Sequence, residues 1–228
     1  MTRGALVLRP EPGNTATRQR LAAHGVFVSR CPLFAVTPLA WNPPDARSYD
    51  SLLLTSANAV RHGGPGLRAF GLPVLAVGQA TAEAARISGL TVELTGDTDA
   101  VALLAEAYAR GWRRPLHLAG RDRIALPGVD AIAVYASDAL PVDAATVLGW
   151  RGLVALVHSA RAARHFAALA TPVRSAVAIA AISPAVADAA GGGWAIAMVA
   201  SASSDAALVA LARDLIDQPR WRADKADA

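Results

Sequence analysis

The sequence predicts an α/β protein made of two similar halves, each a parallel sheet covered by helices on both faces. Two observations carry this. Short, continuous apolar runs alternate with longer Ala/Leu-rich segments along the whole chain, the pattern of buried parallel strands separated by helices. The second half also repeats the pattern of the first, at an offset that drifts only from 103 to 106 residues.

The elements follow in order. Ala5-Leu8 has the apolar run of a buried strand. Thr15–His24 has the length of a helix, with Asn14 or Thr15 as its cap and Gly25 just past its end. Val26–Ser29, Ser51–Leu54, Val74–Val77 and Thr91–Leu94 are the next strands. Leu116–Leu118, Ala131–Tyr135, Leu153–Val157, Ala176–Ile182 and Ala195–Val199 continue the series. Asp217–Ala228 is expected to be a loose charged tail.

The repeat is visible residue by residue. Leu52-Leu53-Leu54-Thr55-Ser56-Ala57-Asn58-Ala59-Val60-Arg61-His62 matches Ala155-Leu156-Val157-His158-Ser159-Ala160-Arg161-Ala162-Ala163-Arg164-His165. Ala76–Ala85 matches Ala181–Ala190, and Asp99-Ala100 opens a Leu-rich helix as Asp205-Ala206 does. Gly25–Pro38 matches Gly128–Pro141. A period this long is a duplicated α/β unit, not a solenoid.

Composition narrows the function. The chain has 228 residues and a net charge of +4, with Lys225 its only lysine. Scattered arginines, few aromatics and no basic run give no footprint for nucleic acid; they suit an anionic small molecule. Cys31 is the only cysteine, so no internal disulfide forms. His24, His62, His117, His158 and His165 lack metal-ligand spacing. No phosphate-binding glycine fingerprint and no Gly-x-Ser-x-Gly elbow occurs. Without a signal-peptide pattern or an apolar run long enough to span a membrane, a cytoplasmic location away from membranes is expected.

Candidate site residues lie where strands give way to helices, the ligand-binding edge of an open parallel sheet. Ser56 and Ser159 each follow a strand and precede a helix. There a serine caps the helix and also faces the ligand edge. Gly78 allows close backbone approach in the turn before Thr81, which can cap the next helix or donate to a carboxylate. Ser183-Pro184 occupies the matching turn. Arg9 follows the first strand, and Gly120-Arg121-Asp122-Arg123 follows another; such arginines can grip carboxylates or pair locally. His158, alternating to the opposite strand face, is a poor base for Ser159.

Together these residues resemble the uroporphyrinogen-III synthase family over about residues 4–212. The resemblance is carried by Leu8-Arg9-Pro10, Pro32-Leu33, Leu54–Val60, Ala76–Thr81, Gly120-Arg121, Val134-Tyr135 with Pro141, His158-Ser159-Ala160 and Ile182–Ala187. It implies two three-layer domains joined by a two-stranded connector, with a cleft between them. Domain one would be 1–32 plus 142–228, domain two 39–133, and the connectors 33–38 and 134–141. It implies cyclisation of hydroxymethylbilane, an anionic linear tetrapyrrole, with ring D inverted and water lost. No cofactor and no metal are implied, and a monomer is expected. Tyr135 matches the family's functional tyrosine, a phenol able to donate a proton. Arg9, Ser56, Ala57, Asn58, Gly78, Thr81, Gly120, Arg121, Ser159 and Ser183 would bind substrate. Two departures stand out: 124–130 is short where the family has a helix, and Ala185-Val186 replace threonine-type residues. The rival expectation is a two-domain binding protein that closes on a small molecule without catalysis.

Overall fold

The structure is a computed structural model that describes residues 4–218. Its elements in chain order are β1 (Gly4–Val7), α1 (Gly13–Ala22), β2 (Phe27–Arg30), β3 (Phe34–Pro38), β4 (Ser51–Leu54), α2 (Ala57–His62) and α3 (Gly64–Ala69). Then come β5 (Val74–Val77), α4 (Gln79–Ile87), β6 (Val92–Gly96), α5 (Ala100–Ala109), β7 (Pro115–Gly120) and β8 (Ala131–Ala139). The chain continues with α6 (Ala144–Leu148), β9 (Leu153–Val157), α7 (Ala160–Leu169), β10 (Ala178–Ala181), α8 (Pro184–Ala190), β11 (Ile196–Val199) and α9 (Asp205–Asp217). The chain divides into two compact units: one holds the residues up to Ala35 and from Ala139 onward, the other Val36–Asp138.

The first unit carries a five-stranded sheet in the order β11-β10-β9-β1-β2, every pairing parallel. Its inner strands β1, β9 and β10 are buried at every position because both faces are covered, while the edge strands β2 and β11 are largely exposed. Leu6, Ala155, Val157, Ile179 and Ala181 pack on one side with Val147, Phe166 and Val186 of α6, α7 and α8. Ala5, Val7, Val154, Leu156 and Ala180 pack on the other with Leu21 of α1 and Leu208, Ala212 and Leu215 of α9. Phe166 stacks on Trp194 at 5.5 Å and meets Trp150 in a tilted contact at 4.9 Å.

The second unit carries a six-stranded sheet in the order β3-β8-β7-β4-β5-β6. The β8-β7-β4-β5-β6 pairings are parallel. β3 runs antiparallel to β8: the amide of Leu39 donates to the carbonyl of Val134, and that of Leu140 to the carbonyl of Leu33. Leu52, Leu54, Ala76, Leu116 and Leu118 face α2, α3 and α4, through Ala59, Val60, Leu67, Ala82 and Ala85. Leu53, Leu75 and Leu94 face α5, through Leu103, Leu104 and Ala107. Each unit is thus three layers deep.

Four local expectations need correction. Neither Asn14 nor Thr15 caps α1; the helix begins at Gly13 after Pro12. Asn14 is instead fully buried, donating to the carbonyls of Val7 and Arg9 and accepting from Arg30 Nε. Glu11 takes the capping role, accepting from the Thr15 amide at 3.0 Å. Thr81 does not cap α4 either: Gly78 holds that place at φ 81°, and Thr81 is buried inside the first turn. The strand expected to end at Tyr135 runs on to Ala139, because the antiparallel neighbour β3 pairs with its second half. Finally, Asp99 and Asp205 are not equivalent. Asp99 caps α5, whereas Ser204 caps α9 and Asp205 is the first helical residue. Residues 124–130 form no helix. Of the expected tail, only Asp217, which ends α9, and Gln218 lie within the described residues.

Candidate functional site

Parallel strands deliver their carboxyl ends to one edge of a sheet, and helices then start from that edge with unpaired N–H groups. In the second unit the order β8-β7-β4-β5 sets three strand ends side by side. They carry Gly120 at the end of β7 with Arg121 just after it, Ser56-Ala57-Asn58 after β4, and Gly78 after β5. Ser56 adopts an extended conformation and its hydroxyl accepts from the Asn58 amide at 3.2 Å. The Asn58 side-chain carbonyl accepts from Arg61. Gly78 has a φ that side-chain-bearing residues rarely adopt, and its amide donates to the carbonyl of Gly96 at 2.7 Å.

Tyr135 joins this group. The register between β7 and β8 shifts after Ala119, so that Gly120 stands opposite Tyr135. The ring packs against Gly120, where an added Cβ would sit 2.9 Å from Tyr135 Cζ. Only glycine leaves room for it. The amide of Arg121 donates to the Tyr135 carbonyl at 2.8 Å, which ties the two strands at this point. His62, at the end of α2, approaches the same ring with centroids 6.3 Å apart. Burial, and then the charge of Arg61, push the His62 imidazole below its usual range. Arg121 is engaged with Asp138 and, at 3.7 Å, with Asp122. The hydrogen bond and charge of Asp138 raise its guanidinium pKa further.

In the first unit the order β10-β9-β1 brings Ser183, Ser159 and Arg9 to one edge. Ser159 caps α7, accepting from the Ala162 amide at 3.2 Å. Ser183 precedes α8 in extended geometry, and its hydroxyl makes no capping hydrogen bond. Arg9 donates from Nη1 to Asp205 at 3.1 Å and to Thr17 at 3.4 Å. Asp205 also accepts from Thr17 Oγ1 at 2.6 Å and His158 Nε2 at 2.7 Å, and it pairs with Arg20. Burial works against its ionisation, but the bonds from His158 and Thr17 and the charge of Arg9 hold its carboxyl well below the carboxylate range. His158 is lowered by burial despite its bond to Asp205, so it is neutral near pH 7.

Three participants escaped the sequence reading. His62 had a signal: the Arg-His pair recurs as Arg164-His165. Both histidines meet an aromatic ring, Tyr135 for His62 and Phe34, at 5.3 Å, for His165. His117 sits inside an apolar strand run, the mark of a buried polar group; its Nε2 meets Thr55 Oγ1 at 3.0 Å. The sequence shows Asp205 only as a helix opener matching Asp99, because its partners Arg9 and His158 lie 196 and 47 residues away along the chain. An apolar depression of about 450 Å³, lined by Val142, Val147, Leu148, Leu169 and Pro172 among others, has no charged lining residue and does not suit an anion. Among the described residues no group of three or more His, Cys, Asp or Glu could hold a metal, and no helix is long and apolar enough to cross a membrane.

Each unit thus belongs to the class of open α/β sheets, with hydroxyls, amides and arginines at the carboxyl ends of its parallel strands, the edge at which such sheets bind ligands. The family model described as uroporphyrinogen-III synthase HemD matches residues 15–210. The chain belongs to the uroporphyrinogen-III synthase family, enzymes of haem biosynthesis. No curated protein sequence matches it. Its fold is similar to that of uroporphyrinogen-III synthetase from Helicobacter pylori, with a TM-score of 0.65 at 14% identity, covering 93% of this chain and 99% of that one. It is also similar to a mutant uroporphyrinogen III synthase from the extreme thermophile Thermus thermophilus, with a TM-score of 0.56 at 17% identity, covering 96% and 100%.

Proposed function

We propose that this chain is a working uroporphyrinogen-III synthase: a cytoplasmic, monomeric hydro-lyase that cyclises hydroxymethylbilane to uroporphyrinogen III. The observation that carries the reading is the family match across residues 15–210. The non-catalytic binding protein is not favoured by it.

The chemistry needs little from side chains. Departure of the terminal hydroxyl leaves an electrophilic azafulvene. Ring D attacks it through its substituted carbon to give a spiro intermediate, which reopens and recloses with that ring inverted. Water is lost and no electrons are gained or lost overall, so the step calls for no redox cofactor. Free in solution, the same azafulvene closes without inversion. The protein's task is therefore to hold one folded conformation of a flexible polyanion.

In this reading Tyr135 hydrogen-bonds the departing hydroxyl. Its ring is supported by Gly120 and flanked by His62. Ser56, Ala57, Asn58, Gly78, Thr81, Gly120 and Arg121 bind substrate from the second unit, and Arg9, Ser159 and Ser183 from the first. Thr81 is buried inside α4 and its amide already donates to the Gly78 carbonyl, so its share is to hold the turn that presents Gly78. Arg121 has both donors engaged, its amide with the Tyr135 carbonyl and its guanidinium with Asp138, so it takes part by exchanging Asp138 for a substrate carboxylate.

The test is the product isomer. Incubation with hydroxymethylbilane, oxidation and chromatographic separation should give the type III porphyrin in large excess over type I; type I alone would refute the assignment. Tyr135→Phe should lower kcat by about 10- to 100-fold with the fold intact. Unchanged turnover would remove Tyr135 from the mechanism.

A further inference from the structure

We propose that Asp205 is a positioning residue: it fixes the Arg9 guanidinium at the edge of the first sheet so that its free fork receives a substrate carboxylate. The proposal rests on the reading of the chain as a synthase acting on a polycarboxylate.

Arg9 leaves the end of β1, beside the end of β9 and its Ser159. Two features hold its side chain. The first is Gly13, which opens α1. A Cβ there would lie 2.3 Å from Arg9 Nε, 2.5 Å from Cζ and 2.7 Å from Nη2. The guanidinium therefore lies in a slot that only a glycine at position 13 leaves open. The second is Asp205. Its Oδ1 receives Arg9 Nη1, Thr17 Oγ1 and His158 Nε2, while Oδ2 pairs with Arg20. The donors come from α1, from the end of β9 and from the loop after β1, so the carboxylate locks three separate segments to α9.

The geometry separates the two sides of the guanidinium. Among the described residues the hydrogen bonds of Arg9 run through Nη1. That leaves the edge formed by Nε and Nη2, the pair that binds a carboxylate in bidentate fashion. The side chain keeps 31% of its surface exposed, while that of Asp205 keeps 15%. Charge agrees with this division. Two guanidinium groups face one carboxylate, and burial keeps His158 neutral, so the cluster retains one positive charge for an incoming anion.

An arginine held in advance loses little rotamer freedom on binding. Setting it free should raise KM by roughly 3- to 10-fold, without changing the chemical step. The experiment compares Arg9→Gln, Asp205→Asn and the double variant. KM and kcat are read for type III formation, and the Kd of uroporphyrin III, an octacarboxylate that can be bound without turnover, is read by fluorescence. Asp205→Asn should raise KM and Kd by this factor at nearly constant kcat. The double variant should be no worse than Arg9→Gln, because Asp205 acts only through Arg9. Additive effects, or a KM in Asp205→Asn that is unchanged or lower, would overturn the proposal. If Asp205→Asn does not fold, Thr17→Val, which removes one donor to the carboxylate, replaces it under the same criteria. Should the wild type make no type III product, the synthase reading fails, and the uroporphyrin Kd still tests the clamp.

Discussion

His117 should make the second unit acid-sensitive well above the pH at which carboxylates titrate. It lies in β7 opposite Leu53 of β4, on the sheet face covered by α5. It is 3% exposed and shares a hydrogen with Thr55. Burial first, then the charge of Arg123, lower its pKa from 6.5 to about 4. A folded-state pKa below the unfolded one means that the neutral ring is favoured in the fold. Its contribution is therefore fully present above pH ~6.5 and lost as the pH falls toward 4. The fall from 6.5 to about 4 corresponds to roughly 3 kcal/mol at the end of that window.

Urea denaturation of the wild type and His117→Gln, from pH 7.5 down to 4.5, isolates this residue. Glutamine can still reach Thr55 but does not titrate. The two stabilities should run parallel above pH 7 and diverge below 6.5. By pH 4.5 the wild type should have lost roughly 2–3 kcal/mol more than the variant. Buried His158 and partly buried His62 shift in the same direction, but they are present in both proteins and cancel. Curves parallel over the whole range would refute the assignment of a neutral, buried His117.

Gly120→Ala should push the Tyr135 ring from its place, since the new Cβ meets Cζ at 2.9 Å and the hydroxyl oxygen at 3.1 Å. The expected result is a loss of turnover like that of Tyr135→Phe, with an overpacking cost of about 1–3 kcal/mol measured by unfolding. Ser159→Ala should cost about 1 kcal/mol through the lost cap of α7. Ser159→Asp should restore that stability yet raise KM, because it sets a negative charge where a substrate carboxylate is proposed; an unchanged KM would leave Ser159 as a cap alone.

What the sequence made legible was whatever depends on burial alone. Ser51–Leu54, Val74–Val77 and Leu153–Val157 were delimited to the residue, since a strand covered on both faces reads as a near-continuous apolar run. The serine caps were legible for the same local reason: a short hydroxyl ahead of a helix meets its free amides. Asn14 misled because cap preference is local, while its partners are not. The amide that would cap α1 is taken up by Val7, Arg9 and, sixteen residues on, Arg30. The end of β8 was missed because Ser137 and Asp138 look like loop residues; pairing with β3 keeps them extended.

The repeat foretold backbone better than partners, and Asp99 and Asp205 show why. A duplicated unit keeps its strand order, because the cores on both faces depend on it. A polar side chain at a helix start is free to change allegiance as soon as a neighbour can cap instead. In the second unit Asp99 still accepts from the Val101 and Ala102 amides. In the first, Ser204 has taken the cap, and Asp205 turns to Arg9, Thr17 and His158. The residue that follows the central strand diverged along with it. His158 binds Asp205, while its counterpart Thr55 binds His117 from the neighbouring strand. Each unit thus ties down the residue just ahead of its capping serine, by different chemistry. The capping serine is the repeated feature, and the anchors behind it are where the two halves became distinct.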